Sequence, residues 1–277
     1  MSLLRGFSRL PGVRTVLWHR AVWGTIQTWP IFGKLYGNGW RRLHPFDRSL
    51  GSDTSGFVGP GELPSSPFDS QKKHGYAGSQ PSILRTALSV LPSPDSYSFI
   101  DLGCGKGRPL LVASEFSFRA LIGVELSPAL VEAARTNAAI LRQKFPERVP
   151  IRIDVGDASL YPFPTGDLVV FLYNPFGEEV IAKVVVAIES ALAAESRSIF
   201  VVYYNPAFGA VFDASHRLTR YFAARLPFAQ EERGYSPDAD DSVVIWQGGG
   251  TVPAHAGADA QIHVVTPGMR AEVEHNV

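Results

Sequence analysis

The sequence predicts an α/β protein: a mostly parallel sheet of about seven strands, helices on both faces, and a terminal antiparallel strand pair. Three observations point there. Strand-like and helix-like patterns alternate from residue 76 to residue 247. Two runs, Leu168–Tyr173 and Ser198–Tyr204, are continuously apolar, as strands buried on both faces must be. A glycine loop follows a short apolar strand and opens a helix.

The elements follow in order. Ser82–Leu91 has helical spacing and stops at Pro92, because the residue before proline leaves the α region. Ser98–Leu102 reads as a strand, Arg108–Glu115 as a helix and Ala120–Glu125 as a strand. Pro128–Phe145 is helical, with Pro128 suited to a first turn and Leu130, Val131, Ala134 and Ala138 on one face. Ile151–Asp154 is a strand, and Glu178–Leu192 is a helix with acids in its first turn. Arg217–Phe228 and Ser242–Gln247 form the closing antiparallel pair.

Composition bounds the function. The chain has 277 residues, 45% of them hydrophobic, with Lys+Arg 26 against Asp+Glu 26. That neutrality argues against a nucleic-acid partner. Cys104 is the only cysteine, so no intrachain disulfide can form and a reducing compartment is expected. The seven histidines show no metal-ligand spacing, so no metal is expected. Residues 1–75 read as a basic, Trp-rich extension followed by a Gly/Pro/Ser-rich linker from Gly51 to Ser70. Residues 76–247 form the domain, and 248–277 a flexible tail with one short strand near Ile262–Val265. Between Met1 and Phe46 there is no acid, seven Lys and Arg, and Trp18, Trp23, Trp29 and Trp40. That stretch fits a cap on the domain, contact with an anionic membrane surface, or an organellar presequence. It holds no run long and apolar enough for a transmembrane helix. The expected location is cytoplasmic, with peripheral membrane or organellar placement as alternatives.

The chemistry sits in Asp101-Leu102-Gly103-Cys104-Gly105-Lys106-Gly107. Glycines let the backbone turn sharply and approach a ligand without a Cβ clash. A dinucleotide loop needs G-x-G-x-x-G; here the spacing is G-x-G-x-G and Arg108 takes the last glycine's place. Three motifs follow at successive strand ends: Gly123-Val124-Glu125, Gly156-Asp157-Ala158 and Asn174-Pro175-Phe176-Gly177. Ligands of open α/β sheets bind at those carboxyl ends. Glu125 suits ribose hydroxyls, against a plain exposed strand-end acid. Asp157 suits an adenine amino group, against an Asx-turn. Lys106 and Arg108 suit either an anion or a solvated helix start.

On these motifs, residues from about 76 to 205 resemble bacterial class I S-adenosylmethionine (SAM)-dependent methyltransferases. The similarity is to a subgroup with Asp-Leu-Gly-x-Gly-Lys-Gly-Arg, Gly-Val-Glu-Leu-Ser-Pro and Tyr-Asn-Pro-Phe. The loop and its preceding helix are also distantly similar to mitochondrial protein-lysine methyltransferases. The resemblance implies a Rossmann-like fold and SAM as cofactor. It implies that Asp101, Gly103, Gly105 and Glu125 bind SAM and that Asp157 and Ala158 lie by the adenine. Cys104, Gly107, Leu126 and Tyr76 are expected around the same cofactor, Cys104 as a packed residue rather than a nucleophile. Tyr76, Ser79 and Gln80 match the segment that covers the cofactor in such enzymes. Asn174 is the candidate catalytic residue and a cofactor contact. Amine methyltransferases with Asn-Pro-Pro-Tyr or Asn-Pro-Pro-Phe hold the target nitrogen with that Asn, and here one Pro is missing. A second pair, Tyr204-Asn205, ends the next strand, so the two Tyr-Asn pairs either line an acceptor pocket or are strand-stop turns. The acceptor is not identified; an amine nitrogen is one possibility. Rival readings are an NAD-dependent oxidoreductase, an aminopropyl transferase and a non-catalytic SAM-binding scaffold.

Overall fold

The computed structural model describes residues 42–58, 75–173, 176–236, 238–250 and 252–262. The predicted Asn174, the first 41 residues and the strand expected near Ile262–Val265, beyond Ile262, lie outside them. In chain order the elements are α1 (Pro45–Leu50), β1 (Phe57–Val58), β2 (Tyr76–Ala77), α2 (Pro81–Ser89), β3 (Ser98–Leu102), α3 (Arg108–Ala113) and β4 (Ala120–Glu125). Then come α4 (Pro128–Lys144), β5 (Ile151–Val155), β6 (Leu168–Tyr173), α5 (Glu178–Ala194), β7 (Ile199–Tyr204), α6 (Gly209–Asp213), β8 (Thr219–Pro227) and β9 (Asp240–Gly248).

Seven strands form one sheet in the order β5-β4-β3-β6-β7-β9-β8. The first five run parallel, and β9 is antiparallel to both β7 and β8. This is the Rossmann-like architecture, mostly parallel with a closing antiparallel pair, that the alternating patterns predict. The switch in strand order falls between β3 and β6, so β3, with the glycine loop at its end, borders the crevice where ligands of such sheets bind.

Two apolar layers cover the sheet. On one face α2, α3 and α4 bring Leu84, Leu110 and Val131 onto Phe99, Phe171, Phe200 and Ile245. On the other, α5 and α6 bring Ile181, Val184 and Phe212 onto Ile100, Val170, Val201 and Trp246. Alternate residues of each central strand enter opposite layers, which is why β6 and β7 read as unbroken apolar runs.

Differences from the sequence reading are local. The helix after the glycine loop ends at Ala113, two residues early, where Ser114 and Glu115 turn back onto Leu110 and Val112. The linker expected from Gly51 is, over residues 51–58, packed against the domain and paired through β1 to β2. Residues 252–262, expected as part of a flexible tail, are held in place. His255 N donates to Tyr221 O, Gln247 Nε2 donates to Val252 O, and Ala258 and Ile262 are buried. Among the described residues no helix is long and apolar enough to cross a membrane.

Candidate cofactor site

The glycine loop turns at the end of β3 with Gly103, Gly105 and Gly107 at φ +80°, +53° and +85°, a region that side-chain-bearing residues rarely enter. Gly103 N and Cys104 N donate to Val124 O, and Gly107 N donates to Cys104 O. The Cys104 side chain faces the core and is 2% exposed. Burial pushes its thiol well above the usual range, which disfavours the thiolate form.

Glu125, at the end of β4, faces this loop. Its Oε2 accepts from Gly105 N at 2.9 Å and its Oε1 from Ser127 N at 2.8 Å. Each carboxylate oxygen has a second acceptor position, so the pair can still receive two hydroxyls. Leu126, half-buried, directs its own N–H to the same carboxylate. Burial raises the Glu125 carboxyl, and the N–H groups of Ser127, Gly105 and Leu126 counter it.

Asp101 is 1% exposed and its Oδ2 has no hydrogen-bond partner among the described residues. Burial, and then the charge of Glu125, push its carboxyl well above the usual range. An orphaned buried carboxylate beside a second one asks for a cationic donor. Ser79 Oγ and Ser127 Oγ are buried and likewise without partners. The ammonium, sulfonium and ribose hydroxyls of SAM match this set of acceptors. A pyrophosphate does not, because the two loop cations are already engaged. Lys106 Nζ donates to Asp53 Oδ1 at 3.1 Å and Ser55 O at 2.9 Å. Arg108, 3% exposed, donates to Thr54 Oγ1, Thr54 O and Ser79 O and pairs with Asp47 at 3.3 Å. Both are structural ties to the N-terminal segment. This replaces the two roles considered for them from sequence, an anion contact or a solvated helix start.

Asp157 serves its own loop: Oδ1 accepts from Ser159 N at 2.9 Å and Ser159 Oγ at 2.7 Å. This is the Asx-turn geometry weighed against the adenine contact. Ala158 is 7% exposed and packs in the α5-side core. Tyr76 is buried; its ring lies on Gly105 and its hydroxyl donates to Thr54 O at 2.6 Å. Tyr173 and Tyr204 are register partners on β6 and β7, with ring centroids 4.5 Å apart. The ends of β6 and β7 at Tyr173 and Tyr204 are thus neighbours. Asn205 takes φ +48° and bonds Asp241 and Ser242.

The site contains residues that the sequence reading missed. Asn137 is 1% exposed on α4: Nδ2 donates to Asp53 O and Lys106 O, both at 3.0 Å, and Oδ1 accepts from Asp53 N at 2.8 Å. It rivets residue 53 to the glycine loop. A signal existed, since Val131, Ala134, Asn137 and Leu141 share one buried stripe and only Asn137 is polar. Asp47 and Asp241 gave none, because Arg108, the counter-charge of the first, and Tyr204 and Asn205, the donors to the second, lie far away in the chain.

His44 adds a pH dependence. As N-cap of α1 its Nδ1 accepts from Phe46 N at 3.1 Å, and its Nε2, 3.0 Å from Gln80 Oε1, is then the protonated donor. Burial, then the Arg108 charge, lower its pKa from 6.5 to about 4. The docked imidazole stays neutral where the released one, titrating near 6.5, takes a proton. Docking is therefore complete above 6.5 and is lost as pH falls towards 4. Amide protection of α1 is expected to fall between pH 6.5 and about 4, by at most about tenfold per unit. Protection that is flat once intrinsic exchange is subtracted would show that His44 does not carry the docking.

Residues 100–189 match a family model described as "Methyltransferase domain". No curated protein matches the chain. Among solved structures, the chain is similar to Thermoplasma acidophilum 1320 (16% identity, TM-score 0.41), over 61% of this chain and 83% of that one. It is similar to the YcgJ protein of Bacillus subtilis (15%, 0.42), over 62% of this chain and 98% of that one. It is also similar to the Pyrococcus abyssi tRNA (uracil-54, C5)-methyltransferase in complex with S-adenosyl-L-homocysteine (15%, 0.44), over 60% and 37%. At that distance no acceptor or activity carries across.

Proposed function

We propose that this class I SAM-dependent methyltransferase, whose family match covers residues 100–189, moves the methyl group onto an amine nitrogen at the ends of β6 and β7. SAM supplies an electrophilic methyl group when bound. The observation that carries the SAM reading is the pairing of the orphaned Asp101 carboxylate with Glu125, while Lys106 and Arg108 are engaged elsewhere. A cationic amino-acid sulfonium suits that electrostatic arrangement, and a dinucleotide does not. Glu125 would hold the ribose, Asp101 would meet the methionine ammonium, and Tyr76 would close the loop from above. For the transfer itself the chain needs only to orient a lone pair in line with the methyl group. The amine reading is supported by Tyr173-Asn174-Pro175-Phe176, a partial match to the Asn-Pro motifs of amine methyltransferases.

Calorimetry with SAM, S-adenosylhomocysteine and NAD tests the reading, repeated on Glu125→Ala. SAM and S-adenosylhomocysteine should bind and NAD should not. Loss of the carboxylate removes two hydroxyl acceptors and frees Gly105 N and Ser127 N. At about 1.5–3 kcal/mol per charged hydrogen bond, SAM should bind about 100-fold more weakly or worse. Unchanged affinity in Glu125→Ala would remove the ribose contact.

A further inference from the structure

Beyond the cofactor loop, the same end of the sheet carries a half-buried carboxylate, Asp241, on β9. Tyr204 pairs with Tyr173 on one side and with Val243 on the other, which sets the start of β9 beside the ends of β6 and β7. Phe99, Phe171, Val202, Val243 and Ile245 all enter the core layer under α2 and α3. By two-residue alternation Asp101, Tyr173, Tyr204 and Asp241 project from that same face. The orphaned cofactor-side acid and Asp241 thus share one face at one sheet edge.

Asp241 takes one neutral donor on each oxygen: Tyr204 OH at 2.6 Å and Asn205 Nδ2 at 3.1 Å. Among the described residues it has no ion-pair partner. The charges around it do not supply one. Asp238 and Asp240 flank it and raise it, Arg225 on β8 is paired with Asp240 at 2.6 Å, and Arg108 is held by Asp47 and Thr54. At the N-cap of α2 the neutral Gln80 N–H donates to Tyr204 OH. A carboxylate partly withdrawn from water with neutral donors only keeps an unbalanced charge, and such groups cluster at functional sites. Beside it the half-buried Tyr173 ring, 4.5 Å from the fully buried Tyr204 ring and at 39° to it, offers a π face that attracts cations.

We propose that Asp241, held by the Tyr204 hydroxyl, binds the alkylammonium group of the methyl acceptor together with the Tyr173 ring. This inference rests on the amine reading above. An ammonium brings three donors and one positive charge to a site that has acceptors, a π face and unbalanced negative charge. Burial pushes the Asp241 carboxyl up to about 7. An ammonium bound there pulls that carboxyl back down, so Asp241 stays ionised as its counter-charge. The proton that the amine must lose before its lone pair meets the methyl group goes to water: the N–H bond breaks and a hydronium O–H forms.

The test titrates the full chain, saturated with S-adenosylhomocysteine, with n-butylamine and with n-butanol. The amine should bind about tenfold or more tightly than the alcohol. Asp241→Asn keeps the side-chain shape and should lower amine affinity about tenfold while S-adenosylhomocysteine affinity stays within about twofold. Tyr173→Leu leaves the hydrogen bonds of Asp241 in place, should weaken the amine too, and serves where Asp241→Asn fails to fold. Equal binding of amine and alcohol by the wild type, or wild-type amine affinity in Asp241→Asn, overturns the proposal. A bound amine that acquires no labelled methyl from SAM overturns only amine methylation and leaves the ammonium site standing.

Discussion

Replacing Asp47 by alanine is expected to free residues 42–58 from the glycine loop, at a cost of about 3–5 kcal/mol. Asp47 and Arg108 are 0% and 3% exposed and pair at 3.3 Å. Burial alone would raise the Asp47 carboxyl, but Arg108 and the hydroxyls of Ser52, Ser55 and Thr54 outweigh it and hold it below the usual range. Removing the acid leaves a guanidinium buried without its counter-charge, and four other donors (Ser52 Oγ, Thr54 N, Thr54 Oγ1 and Ser55 Oγ) lose their acceptor. Arg108 has no room to swing out, because its guanidinium lies against Gly78, where a Cβ would stand 2.5 Å from it. The loss should appear as local opening before global unfolding. Amide exchange over 42–58 should accelerate, and SAM should bind more weakly, since Asp53, Thr54 and Ser55 brace Lys106, Arg108 and Tyr76. In the double variant Asp47→Ala/Arg108→Met no charge is stranded, so the two losses should fall short of additive. A single-variant change below about 1 kcal/mol in urea denaturation would show that the pair is not what ties the segment down.

Gly105→Ala should be nearly as damaging, and its damage should fall on the cofactor. Gly105 sits at φ +53°, which costs an alanine about 1–2 kcal/mol. Its new Cβ would also stand 2.3 Å from Tyr76 Cδ2. The ring cannot yield cheaply, because it is buried and its hydroxyl is fixed on Thr54 O. Overpacking of this kind adds about 1–3 kcal/mol. The substitution further displaces the N–H that Gly105 gives to Glu125, so SAM affinity should fall about tenfold or more. Tyr76→Ala in the same chain removes the clash. The double variant should then lose less stability than the sum of the two single variants, by about 1 kcal/mol or more. Additive losses would mean that the ring does not press on the loop.

How far the sequence alone could be read follows from the range of the forces involved. Short-range signals were sufficient for the sheet. Apolar runs marked β6 and β7, Pro128 opened α4, and the glycine spacing placed a loop with three positive φ angles. Asp101, Glu125 and the paired Tyr173 and Tyr204 were legible because each ends a strand, and strand ends of such sheets meet at one edge. Only the tertiary structure decided which partners those groups have. Lys106 and Arg108 look available for an anion until Asp53 and Asp47, more than 50 residues away, are seen to hold them. Asn137 and Asp241 carry no local motif, since their partners come from other elements. Periodicity and turn chemistry are properties of neighbouring residues and can be read in a line. A buried charge acquires its meaning from whatever the fold brings within hydrogen-bond distance, and here that is a segment read from sequence as a linker and a strand at the far end of the chain.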